Sequence, residues 1–269
     1  MSEREVYPVA PIVLVAVEVR HSLCEPLDSS GMGRFSAALA GILPLRGEVQ
    51  NVSVAFQPGV SAAPLQQVSA FPRWSSRDKR TAVTVRTDSL VIESTNYQQY
   101  EHLRDLLELA LTARMSSAGT AGIERVGMRY IDEIRVPTDD GDSGITWGNW
   151  VHPSLLGPAL ELEQAAGMRL SEHQGLAVFA GAGDHALALR YGPREGYATA
   201  SSPELRRPTP PPGPFFLLDI DSFWQPSDVA PVMATDIVLQ AMDRLHTPVR
   251  QLFEGLITDK LREEVLRGK

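Results

Sequence analysis

The stretch RVGMRYIDEIRVP, Arg125 to Pro137, decides the fold. It alternates as a β-strand does, yet it carries three arginines, an aspartate and a glutamate. Successive side chains of a strand point to opposite faces. Met128, Tyr130, Asp132, Ile134 and Val136 therefore share one face, and Arg129, Ile131, Glu133 and Arg135 share the other. The first face is apolar but for Asp132, a carboxylate that must find donors or stay uncharged at a cost. The second is charged but for Ile131. Such a strand suits a sheet with one face packed and one face meeting solvent or a polar partner.

The surrounding sequence extends this pattern. Upstream, Pro11 to Arg20 (PIVLVAVEVR) is a β-branched run fit for a buried strand, followed by a helical pattern in Phe35, Leu39, Ile42 and Leu43 that Pro44 ends. Four short β-rich segments between residues 48 and 95 read as an antiparallel meander, with a tight turn at Thr87-Asp88. A helix then starts with Asn96 as N-cap and places Tyr100, Leu103, Leu107, Ala110 and Leu111 on one face. Downstream of Arg125–Pro137 come an acidic turn, a segment (ITWGNWVHPSLL) holding a helical turn or two, and a hairpin around Gly181–Asp184. A Pro-rich surface loop over 194–214 leads to the strand FFLLDIDSFW, and a helix begins near Ala230. At Thr247-Pro248 that helix either kinks or restarts.

The order β-α-β-β-β-β-α is thus followed by β-α-β-β-β-α, and Glu18-Val19-Arg20 in the first leading strand matches Glu133-Ile134-Arg135 in the second. We expect an α+β fold of two tandem β-α-β(3–4)-α modules, residues 1–122 and 123–269. Their antiparallel sheets would carry helices on one face and join as one compact unit, with one continuous curved sheet as the limiting form.

Composition narrows the function. The chain has 269 residues, a net charge of −8 and a pI near 5.3, which argues against a nucleic-acid-binding protein. Residues 1–137 hold 14 Lys and Arg against 15 Asp and Glu, and 138–269 hold 11 against 18. A local basic stretch, Arg73, Arg77, Lys79, Arg80 and Arg86, reads as a solvated hairpin. The single cysteine, Cys24, allows no internal disulfide and no cysteine-based zinc site. With no apolar signal region and no long apolar run, we expect a cytoplasmic protein without a membrane span.

Candidate site residues follow from the strand faces. Arg129 and Arg135 suit a sheet surface that receives an anionic group, because the guanidinium is a rigid fork of donors; the plainer alternative is ion pairing on a solvated face. Asp219 and Asp221 share one face of their strand and pair with an arginine of a neighbouring strand, such as Arg129 or Arg190, or hold a divalent metal. His246 reads as a hydrogen-bonded core or boundary residue, and Trp147 and Trp150 as core or as a partner surface. No nucleophile elbow, P-loop, dinucleotide fingerprint or HExxH is present, so no cofactor, metal or catalytic residue is assigned.

Four segments together, APIVLVAVEVR, RVGMRYIDEI, LLDID and LHTPVRQLFEGLIT, resemble a sporadically distributed family of bacterial proteins of similar length to which no reaction is assigned. The resemblance implies an accessory role, as in bacterial defence or toxin–antitoxin loci, and carries no catalytic residues. One position departs from the family: Asn commonly follows Arg-Tyr-Ile, where this chain has Asp132. The reading is of a non-enzymatic binding or regulatory protein, monomeric or homodimeric, that holds a protein partner or anionic small molecule on a concave sheet face. Arg129, Arg135 and Arg190 would contact it, with Asp219 and Asp221 holding them in register. The alternative is a metal-dependent hydrolase built on Asp219, Asp221 and Asp132.

Overall fold

The computed structural model describes residues 6–55, 65–117, 119–137, 145–157 and 173–268, with backbone alone for 51–55 and 65–68. Within them nine strands form a single antiparallel sheet. The strands are β1 (Ile12–His21), β2 (Leu45–Ala55), β3 (Leu65–Ser75), β4 (Thr81–Val85) and β5 (Ser89–Ser94), then β6 (Ile123–Ile134), β7 (Gly175–Ala180), β8 (His185–Gly196) and β9 (Gly213–Trp224). Their order across the sheet is β2-β3-β4-β5-β1-β6-β9-β8-β7. The two predicted leading strands, β1 and β6, lie side by side at its centre, with Val17 opposite Met128. On one side β1 is bonded to β5, and on the other β6 is bonded to β9.

One face of the sheet is covered. Val15, Val17 and Val19 of β1, Met128 and Tyr130 of β6, and Leu218 and Ile220 of β9 are buried in one apolar cluster with the helices. Burying each such aliphatic side chain contributes roughly 1.5–3 kcal/mol. Helix α1 (Ser29–Leu39) starts before the apolar periodicity does, because Asp28 caps it by accepting from the Gly31 N–H at 2.6 Å. Its Phe35 stacks on Trp74 of β3 at 5.0 Å. Helix α2 (Tyr100–Met115) buries Leu103, Leu107, Ala110 and Leu111 as its periodicity predicts. Its N-cap falls three residues after the expected Asn96, at Gln99, which makes no side-chain cap hydrogen bond.

Helix α3 (Thr235–Leu256) runs unbroken through Pro248. Neither a restart at Thr247 nor two separate helices is formed, since Val238, Met242, Leu245 and Val249 keep one buried stripe across the proline. A short helix α4 (Asp259–Leu261) and a π-turn (Arg262–Leu266) follow. Trp147, which opens a 3₁₀ turn (Trp147–Asn149), and Trp150, its C-cap, are buried in the main core. The acidic turn at 138–144 and residues 168–172, on the approach to the predicted hairpin around Gly181–Asp184, lie outside the described residues. Among those described, no helix is long and apolar enough to cross a membrane.

The Pro-rich loop between β8 and β9 is tied to the end of the sheet by a buried ion pair. Arg207 forks onto Glu133 at 2.8 and 2.9 Å, and both side chains are 2% exposed. Glu133 also accepts from the Ala198 N–H at 2.6 Å and from Arg135. Burial favours the neutral form of Glu133, but these donors outweigh it and hold its pKa below the ordinary value. The same loop reaches the first half of the chain, where Arg206 accepts from Thr95 Oγ1 at 2.5 Å and its N–H donates to the Lys79 carbonyl. Arg207→Ala should cost about 3 kcal/mol in denaturant unfolding, the low end for breaking a buried pair because Arg135 and Ala198 still hold Glu133. A loss under about 1 kcal/mol would show that the pair is not what pins the loop.

Candidate functional site

The open face of the sheet is where the charges of β6 go. Arg129 binds Asp219 with both arms, Nε–Oδ1 at 2.6 Å and Nη2–Oδ2 at 2.7 Å. Arg190 of β8 approaches the same carboxylate at 3.6 Å. Asp221 is held by Arg125, which also reaches Glu18 of β1 at 3.1 Å. In the β6–β9 register Arg129 faces Asp221, so both arginines reach diagonally along β9 to the neighbouring carboxylate. Gly127 makes this possible, since a Cβ there would lie 2.2 Å from Arg125 Nη1. The Asp219 contact also raises the Arg129 pKa above its ordinary value.

Of the five predicted residues, the structure brings Arg129, Arg190 and Asp219 together. Asp221 belongs with Arg125 and Glu18, and Arg135 joins Glu133 and the carbonyls of Gly213 and Gly196. Aspartates 219 and 221 therefore do not hold Arg135 in register, because it lies at the far end of β6. The hydrolase constellation does not assemble. Asp219 and Asp221 face the open side, Asp132 faces the helices, and among the described residues no three His, Cys, Asp or Glu side chains converge to hold a metal. Of the basic stretch, Arg73 is buried and paired with Glu93 at 2.7 Å, and Lys79 sits in the β3–β4 turn.

The helix side holds a cavity of about 740 Å³ between β6, the start of α2, α3 and residues 6–12. Strand periodicity sends Tyr130 and Asp132 into it, and the segment before α2 contributes Tyr97 and Tyr100. From α3, His246, Arg250 and Phe253 face it, three residues on one helical stripe. Tyr97 meets Tyr130 edge-on at 5.4 Å, and His246 stacks on Tyr100 at 4.0 Å. Tyr130 Oη lies 3.3 Å from His246 Nδ1. Tyr100 donates to Asp243 at 2.5 Å, and Arg104 braces that carboxylate at 3.1 Å. Burial, together with these neighbours, raises the pKa of Tyr100 and of Tyr130 above the usual phenol value.

Asp132 is the anomalous group. It is 2% exposed, its Oδ1 has no hydrogen-bond partner, and it lines the cavity. Burial, with a smaller contribution from the charge of Asp219, pushes its pKa from 3.8 to about 8. A second cavity of about 900 Å³, against Phe179, Trp224 and Pro248, has no carboxylate in its lining. Sequence reasoning flagged Asp132 and His246 one at a time. Their meeting had no linear signal, because 114 positions separate them. No protein-family model matches the chain, and no curated protein matches it. Fold and site define its class as an α+β single-sheet protein with a tyrosine-lined cavity closed by a buried acid.

An Asp132 that titrates near 8 in the fold and near 3.8 unfolded keeps a proton that the unfolded chain has lost, so stability falls as pH rises between those values. Asp132→Asn removes that penalty. The variant should match the parent in melting temperature near pH 4 and exceed it increasingly up to pH 8. The gain at pH 8 should be about 3 kcal/mol, a discounted conversion at about 1.4 kcal/mol per pK unit. Melting curves of both proteins from pH 4 to 9 check this; a pH-independent difference would mean Asp132 titrates alike folded and unfolded.

Proposed function

We propose that this chain is a non-enzymatic binding protein for a small molecule, and that its site is the helix-side cavity, not the open sheet face. The observation that carries the reading is Asp132, a buried carboxyl left without a partner on Oδ1 in the wall of a ligand-sized space. Buried polar groups are ordinarily satisfied, and one facing a cavity is satisfied by what enters it. The open face offers less, because the forks of Arg125, Arg129 and Arg207 are already filled by carboxylates. Below the pKa of about 8 to which burial raises it, Asp132 offers an entering ligand a hydroxyl donor as well as a carbonyl acceptor.

We also read the chain as two tandem modules, 1–122 and 123–269, joined edge to edge at β1–β6. What supports this is that each half bonds its first strand to the last strand of its own meander, β1 to β5 and β6 to β9.

Native mass spectrometry after incubation with a small-molecule extract tests the binding reading. The parent and Arg129→Ala should carry a mass excess that disappears on denaturation, and Asp132→Leu should carry none. Retention by Asp132→Leu, or loss confined to Arg129→Ala, would move the site to the open face.

A further inference from the structure

The cavity is electrically lopsided, and that asymmetry bears on what it takes. At its buried end stand neutral groups, the Tyr130 phenol and the Asp132 carboxyl. Its half-buried wall carries two guanidiniums, Arg80 and Arg250. Arg80 donates from Nη2 to the Thr95 carbonyl at 2.8 Å, while its buried Nε has no partner. Among the described residues no carboxylate lies within ion-pair distance of either guanidinium, although Asp78 accepts from the Arg80 backbone N–H at 3.1 Å and feels its charge. The acids nearby are Glu254, held by Tyr7 at 3.0 Å and by Arg262 at 3.2 Å, and Glu101 in the first turn of α2. Residues 98–101, the start of this 16-residue helix, line the same cavity. Gln99 at the N-cap leaves the first N–H groups uncapped, its amide being engaged instead with His102 at 2.7 Å. An uncapped helix start is an electropositive feature that favours an anion.

The buried end has its own chemistry. A carboxylic acid sets one donor and one acceptor side by side, the complement of a flat ring with adjacent hydrogen-bonding atoms. Tyr97, Tyr100 and His246 supply aromatic surface for such a ring. We propose that the cavity takes a small anion with a flat, hydrogen-bonding head, of the mononucleotide type: the head pairs with Asp132 against the tyrosines, and the phosphate lies toward Arg80, Arg250 and the start of α2. A cavity of about 740 Å³ is of the size that holds such a molecule. The inference rests on the binding reading above and adds the chemical class.

Isothermal titration calorimetry at pH 7 with AMP, GMP, CMP and UMP, their nucleosides, and inorganic phosphate tests it. At least one nucleotide should bind, its nucleoside at least tenfold more weakly, and inorganic phosphate more weakly than either. Arg250→Ala should erase most of the difference between nucleotide and nucleoside while leaving nucleoside affinity unchanged. Asp132→Leu should abolish both. Equal affinity for nucleotide and nucleoside, or a difference untouched by Arg250→Ala, overturns the anion assignment. If none of these probes binds, the class is wrong; a mass excess that Asp132→Leu loses would still stand for the cavity, and its absence would remove that reading as well.

Discussion

The antiparallel pairing of β1 with β6 is the constraint on which the rest of the molecule depends. It sets the two leading strands in the middle of a nine-stranded sheet and makes one core out of both halves of the chain. Because strands alternate, the pairing also fixes two chemically different surfaces at once. Val17, Met128 and Leu218 go under the helices, and Glu18, Arg125, Arg129 and Asp219 go to the open side. A one-residue slip of register would exchange the two sets, placing a row of charges in the core.

The open face carries a network of paired charges. Each arginine of β6 leans to a carboxylate on a neighbouring strand, so charge is neutralised locally along β1, β6, β9 and β8. Arg129 and Arg190 are about half exposed beside the buried Asp219, so solvent screens what these pairs contribute. The Glu133–Arg207 pair is different, because both partners are almost fully buried and the arginine comes from the long loop. Its geometry fastens 16 residues of irregular backbone, 197–212, to the sheet.

Asp132 breaks the pattern of its own face. Neutralised by burial, it presents a hydroxyl donor and a carbonyl acceptor, much as an asparagine amide would present a donor and an acceptor. It does add a charge-state dependence that an amide lacks, and it makes the cavity wall sensitive to pH near 8.

The sequence by itself determined most of the strands and helices, the alternation of β6 and the placing of Asp219 and Asp221 on one face of their strand. These are consequences of local periodicity, which three or four neighbouring residues suffice to set. It also singled out Asp132 as a carboxyl in an apolar row. Only the tertiary structure decided which arginine meets which carboxylate, since a diagonal reach in a register is invisible along the chain. It also carried α3 through Pro248, where a continuous buried stripe outweighs one missing N–H. And it alone built the cavity, because Tyr97, Tyr130, Asp132 and His246 become neighbours only when α2 and α3 pack on the centre of the sheet.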